Sequence, residues 1–201
     1  AEETTSLVTA LEEIIKEVEA GKFEIENSFE DVHTKIEYLL TIKLGDAGKK
    51  IHTARSRNDQ VLVDVHLYLK DVVKELKEQV KVLFDLLMES ADKHQNVLLP
   101  GYTHLQIAMP SSFGMWFSAY AESLIDDITM LNAALKVVDQ NPLGSAAGYG
   151  SSFPINRTFT TQELQFETLK FNAVAAQMSR GKAEKTVAFA MSSVAATLAK
   201  F

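Results

Sequence analysis

With 201 residues, no cysteine and a formal net charge of −7, the chain excludes several classes of protein at once. Disulfides, thiol catalysis and cysteine-ligated metals are ruled out, which suits a reducing compartment and makes the cytoplasm the expected location. The acidic balance with no basic face argues against nucleic acid as a partner, and no apolar run approaches the ~20 residues that span a bilayer, so no membrane partner is expected.

A hydrophobic fraction of 46% is that of a folded protein. The opening AEETTS is not a signal peptide and has no initiator methionine, so the chain reads as an internal fragment. Residues 4–20 carry Leu7, Leu11, Ile14, Ile15 and Val18 on one helical face, ended by Gly21. A second helix is predicted over 28–44, closed by the turn GDAGKK. These two are expected to be the C-terminal part of a small N-terminal helical domain, residues 1–54.

Ser56 is a suitable N-cap, with Asp59 three residues on in the place of a capping box. From there no glycine or proline occurs until Pro100. Leu62, Val65, Leu69, Val72, Leu76, Val80, Leu83 and Leu87 recur at steps of three and four, predicting a helix over 57–95. Residues 98–110 read as a loop with a proline near each end, and a further helix is predicted over 111–140, striped by Phe117, Leu124, Leu131 and Val138. The segment 141–157 is rich in small residues that permit a tight turn or close backbone approach. A shorter helix over 161–169 and a last one from Lys182 follow, and VAATLAKF ends the chain inside a helical pattern. Strand alternation is nearly absent.

The predicted fold class is therefore all-α, a long-helix bundle truncated at both ends, with residues 55–201 as the first part of its central domain. Helices longer than ~35 residues span about 50 Å and exceed an ordinary globular domain. The two longest could cover each other as an antiparallel pair. Their remaining apolar faces call for more helices, from elsewhere in the protein or from other copies, so a homo-oligomer is expected.

Three segments carry polar side chains unlike ordinary helix or loop: 29–37, 52–60 and 101–110. Arg55 and Arg57 beside Ser56 and Asn58 at a helix start fit either a capped helix with surface arginines or a carboxylate pocket. His104, between Thr103 and Gln106, is either a structural histidine or an acid–base group in a stiffened loop. By spacing alone Asp31 and His33 are solvent-facing helix residues. The five histidines show no metal-ligand spacing, so neither a metal nor a cofactor is predicted.

Taken in order, EDVH at 30–33, GDAGKKIHTARSRNDQV at 45–61, GYTHLQ at 101–106 and NPLGSAA at 141–147 resemble the argininosuccinate lyase/delta-crystallin family of the fumarase/aspartase superfamily. The resemblance runs from about Phe29 to Phe201. It implies the superfamily's long-helix bundle and a reversible elimination by general acid–base chemistry. On that resemblance argininosuccinate would be the small-molecule substrate, and arginine and fumarate the products of this last step of arginine biosynthesis. It implies that Thr103 and His104 serve catalysis, with His104 in proton transfer, and that Ser56, Arg57, Asn58 and Gln106 bind the succinyl carboxylates. Asp31 would face the arginine moiety, and Arg180 falls where the family keeps an arginine. It further implies a homotetramer with each site drawn from several subunits, and a serine-bearing catalytic loop beyond Phe201, so that this piece alone is inactive. The chain departs from the family where Ala54 and Ala146 replace glycines and where 172–182 lacks the family's acidic wording. Two alternatives stay open: another fumarate-releasing lyase, such as one for adenylosuccinate, and a non-catalytic structural scaffold.

Overall fold

The computed structural model describes residues 2–201, which fold mainly as helices. In chain order these are α1 (Glu2–Glu19), α2 (Val32–Leu44), α3 (Asp46–Lys49), α4 (Arg57–Lys93), α5 (Phe113–Val138), α6 (Arg157–Glu163), α7 (Ala173–Gln177) and α8 (Lys182–Leu198), with a 3-10 turn at Lys50–His52. Four short strands complete the chain: β1 (Leu98–Thr103) pairs antiparallel with β2 (Gln106–Ser112), and β3 (Gln140–Asn141) pairs parallel with β4 (Thr168–Leu169).

The 37-residue α4 is the rod on which the rest is arranged, about 55 Å long at 1.5 Å per residue. Ser56 is its N-cap, and the reciprocal bond from Ser56 N to Asp59 Oδ1 completes the expected capping box. Two contacts fix α5 as antiparallel to it. Near the α4 end, a Cβ placed on Gly114 would lie 2.6 Å from Gln95 Cα, so only glycine lets the chains approach there. Near the α4 start, His66 Nδ1 meets the Val138 carbonyl at 2.7 Å. Helix α8 lies antiparallel to α5, with Ser193 Oγ donating to Asp127 Oδ1 at 2.5 Å and Tyr120 Oη donating to Lys200 O at 2.8 Å. The core of this three-helix unit joins Val73, Val80 and Leu87 to Leu124, Leu131 and Val138, closed by Ala183, Val187, Ala190 and Val194. The alanines let α8 sit close. Trp116 and Tyr120 pack against Phe201 at one end. A second apolar cluster joins Ala10 and Ile14 of α1 to Leu40 of α2.

Three elements differ from the sequence expectation. Residues 98–110 are not a loop: they form most of a hairpin whose two-residue turn, His104–Leu105, has φ of 50° and 62°. Positive φ at both turn residues is the type I′ signature, usually announced by Asn-Gly. Pro100 faces Pro110 across the pair, tolerable because both strands are edges. The short helix lies at Arg157–Glu163 rather than 161–169, because Asn156 caps it through Phe159 N and Thr168–Leu169 is drawn into β4. The buried line of α4 runs through Asp59, Leu62, His66, Lys70, Val73, Val80, Leu87 and Ala91, whereas Val65 and Val72 are only half-buried. Three polar residues occupy the buried line because each is paired: Asp59 with Ser56 N, His66 with Val138 O, and Lys70 with Asp139 Oδ1 at 2.7 Å and with Gln165 O.

Candidate active site

The candidate site residues singled out from the sequence lie at two places far apart. The first is the start of α4. Asp59 is fully buried, and its carboxylate accepts three backbone N–H groups: Ser56 at 2.9 Å through Oδ1, then Gly144 at 3.1 Å and Ala146 at 3.0 Å through Oδ2. One side chain thus caps the helix and pins the 142–146 loop against its mouth. Arg157 holds that loop from the other side, donating Nε to Leu143 O at 3.0 Å and Nη2 to Lys170 O at 2.8 Å. Burial pulls the Arg157 guanidinium below its usual range, opposed by the nearby Asp59. Buried Asn141 ties the same loop to α6, its amide donating to Thr161 Oγ1 at 2.9 Å.

On this frame sit Asn58, Arg180 and Gln177. Arg180 Nη1 donates to Asn58 Oδ1 at 3.0 Å, and Asn58 Nδ2 donates to Gln177 Oε1 at 2.5 Å. Gln177 Nε2 in turn donates to Ser145 Oγ and Ala146 O, both at 2.7 Å. Beside them Arg57 turns toward α2. Its Nε is 3.1 Å from Asp31 Oδ2 and its Nη1 is 3.1 Å from Glu37 Oε1, with Gln60 Oε1 also accepting at 2.9 Å. Asp31 is itself the N-cap of α2, accepting from Thr34 N at 2.8 Å. Burial pushes the Asp31 carboxyl up, but the Thr34 bonds and the Arg57 charge outweigh it and leave the group below the usual carboxylate range. His33 is not a free surface residue, since its Nε2 lies 3.0 Å from Asp64 Oδ2.

Asp31, Ser56, Arg57, Asn58 and Arg180 are therefore brought to one end of the rod. Asn58 and Arg180 touch directly, as do Asp31 and Arg57. Arg55, the other guanidinium of the motif, lines a separate recess of about 160 Å³ with Asn156 and Arg157.

The second place is the hairpin tip, where Thr103, His104 and Gln106 are all exposed and Leu105 is 98% exposed. The hairpin follows the far end of α4. Its seven-residue strand reaches at most about 23 Å, against the ~55 Å of the rod. Within one chain, His104 is thus kept roughly 30 Å or more from Asn58. Among the described residues no group of three or more His, Asp or Glu is placed to hold a metal ion, and no helix is long and apolar enough to cross a membrane.

Asp59, Ser145, Arg157 and Gln177 were not singled out as site residues from the sequence. In the sequence Asp59 reads only as a cap, although the run of small residues at 144–148 signals that some side chain must satisfy that backbone. Gln177 sits in a five-residue helix with no periodicity to read.

The fold is thus a long helical rod with a polar mouth and a separate, exposed hairpin tip. A family model described as Lyase matches residues 1–201, and the chain belongs to that family. Within it the chain is 56% identical over 199 residues to the argininosuccinate lyase of Bacteroides fragilis, covering 99% of this chain and 44% of that protein. It is 41% identical over 200 residues to that of Thermotoga neapolitana, covering all of this chain and 50% of that one. The chain thus spans about half the length of these relatives. Among solved structures, EDDS lyase in complex with formate superposes with a TM-score of 0.83 at 24% identity, over 94% of this chain and 37% of that one. A fumarate lyase:delta crystallin from Brucella melitensis bound to cobalt gives 0.79 at 19% identity, over 98% and 48%. At those identities they show likeness of fold alone.

Proposed function

We propose that the complete polypeptide carrying this chain is a carbon–nitrogen lyase that cleaves argininosuccinate to arginine and fumarate, in the cytoplasm and in the service of arginine biosynthesis. The observation that carries the reading is the mouth of α4: Ser56, Asn58 and Arg180 stand together on a frame fixed by Asp59, in a chain 56% identical to an argininosuccinate lyase.

The reaction removes a proton from the carbon beside a succinyl carboxylate and expels the guanidino nitrogen from the neighbouring carbon. The C–H electron pair passes through an aci-carboxylate, becomes the new C=C bond of fumarate, and the departing nitrogen takes up a proton. The dianionic intermediate needs donors already in place. Ser56, Asn58 and Arg57 supply them at the rod's mouth, with Arg180 oriented through Asn58. Thr103, His104 and Gln106 complete the set, His104 working in proton transfer, worth about 10²–10⁴-fold. Asp31, held anionic by Thr34 and Arg57, faces the guanidinium end of the substrate. The oligomer is a homotetramer in which the hairpin tip of one copy meets the α4 mouth of another. This reading is supported by the span between the two places in one chain and by the bare apolar residues Leu98, Leu105, Ile107 and Met109 of the hairpin. Residues 1–54 belong to a small leading domain whose Asp31 and Glu37 clasp the mouth through Arg57.

The test is to assay the full-length protein for fumarate release from argininosuccinate, adenylosuccinate and aspartate in parallel. Turnover of argininosuccinate alone is the expected result. Preference for another substrate would replace the specificity, and no turnover of any would leave a structural scaffold.

A further inference from the structure

We propose that Gln177 is a positioning residue that sets which face of the Asn58 amide is offered to substrate; the inference rests on the lyase reading above and adds to it a residue outside the recognised motifs. The two amides form a chain whose polarity is dictated from both ends. At one end a guanidinium can only donate, so the Arg180 contact at 3.0 Å fixes Asn58 Oδ1 toward Arg180. At the other end a backbone carbonyl can only accept, so the 2.7 Å contact to Ala146 O fixes Gln177 Nε2 on that side. The remaining Oε1 must then face Asn58, and it meets Nδ2 at 2.5 Å. Ser145 Oγ, buried in the loop that Asp59 pins, takes the second Gln177 N–H.

The consequence is specific. Both amides are locked against a flip, since turning either would set donor against donor or acceptor against acceptor. One Asn58 N–H is spent on Gln177, and the other has no acceptor among the described residues. That second N–H is the group left to meet a substrate carboxylate, and its direction is set by Gln177. A donor fixed before substrate arrives stabilises a developing carboxylate charge without reorganising, so the loss on removing Gln177 falls on kcat.

The experiment compares the full-length enzyme with Gln177→Met, Gln177→Glu, Asn58→Ala and the Asn58→Ala/Gln177→Met double variant, by steady-state cleavage of argininosuccinate. Gln177→Met keeps the volume and removes all three bonds; kcat is expected to fall about 10–100-fold, with KM moving by less than about threefold. Gln177→Glu keeps an acceptor for Asn58 and places a carboxylate beside Ala146 O. It is expected to hold kcat within about fivefold while KM rises, because a negative charge now faces an anionic substrate. Adding Gln177→Met to Asn58→Ala is expected to change kcat by less than about twofold. A residue that only propped up α7 would reverse the first ordering, the glutamate being the worse, and would add its loss to that of Asn58→Ala. Either result overturns the proposal. If Gln177→Met does not fold by circular dichroism, Gln177→Glu decides alone: a kcat more than about tenfold below wild type overturns it. Wild-type enzyme without turnover would sink the lyase reading and this inference together. Turnover that Asn58→Ala leaves untouched would sink the inference alone.

Discussion

Replacing Asp59 by asparagine changes one atom in the most heavily shared side chain of the α4 mouth. The carboxylate accepts three N–H groups at 2.9, 3.1 and 3.0 Å and is fully buried. An amide has one oxygen, so either the pair from Gly144 and Ala146 or the single bond from Ser56 must face an NH₂ group. At least one charge-assisted bond, worth about 1.5–3 kcal/mol, is lost and a buried N–H is stranded. The surviving bonds fall toward the ~1 kcal/mol of neutral pairs, while relief of carboxylate burial returns part of the loss. The net cost is about 3 kcal/mol. Urea unfolding of wild-type and Asp59→Asn chains checks it, followed by the fluorescence of the single tryptophan, Trp116, and by far-ultraviolet circular dichroism. A midpoint drop at unchanged slope is expected. A difference below about 0.5 kcal/mol would mean that the carboxylate is not what holds the loop to the rod.

Ala54 and Ala146 both have φ of 55°, where an L side chain costs about 1 kcal/mol or more and glycine costs less. After the extra chain entropy of glycine, Ala54→Gly is expected to raise stability by about 0.5 kcal/mol. Ala146→Gly also gives up a buried methyl worth about 0.8 kcal/mol and should be near neutral or slightly destabilising. A lowered urea midpoint for Ala54→Gly would contradict the assigned backbone. His66 is buried, with Nδ1 donating to Val138 O and Nε2 without a partner among the described residues. Burial, and the Lys170 charge to a lesser degree, hold its pKa below the ordinary 6.5 despite the Val138 bond and Glu184. The unfolded chain therefore binds a proton first. The contribution of His66 is to weaken the fold as pH drops below 6.5, by at most about 1.4 kcal/mol per unit until the folded form also protonates. Comparing unfolding free energies at pH 7.5 and 5.5 should show a smaller acid loss for His66→Leu than for wild type. An equal loss would refute the assignment.

The rods were legible because their signals are local. Ser56 with Asp59, and thirty-odd residues without glycine or proline, state where α4 begins and that it continues. The hairpin was not legible, because His104 and Leu105 are poor residues for two positive φ angles and the prolines looked like breakers. The buried line of α4 was misplaced at His66 and Lys70, since a hydrophobic pattern cannot register polar groups whose partners lie about 70 to 95 residues away. The same limit hid Gln177 and Arg157, whose meaning comes only from the groups they meet far along the chain. The replacement of glycine by alanine at 54 and 146 was visible as a departure from the resembled family, but its cost shows only in the backbone angle. No motif in the sequence states that Asn58 and His104 lie at opposite ends of one rod.

The central claim is that a working site joins the α4 mouth of one copy to the hairpin tip of another. It is tested most directly by mixing two inactive full-length variants, Asn58→Ala and His104→Asn, unfolding them together and reassembling them. If the two residues come from different copies, random 1:1 assembly leaves about one quarter of the sites with both intact, so about one quarter of wild-type turnover should return. Recovery no greater than that of either variant reassembled alone would contradict the account.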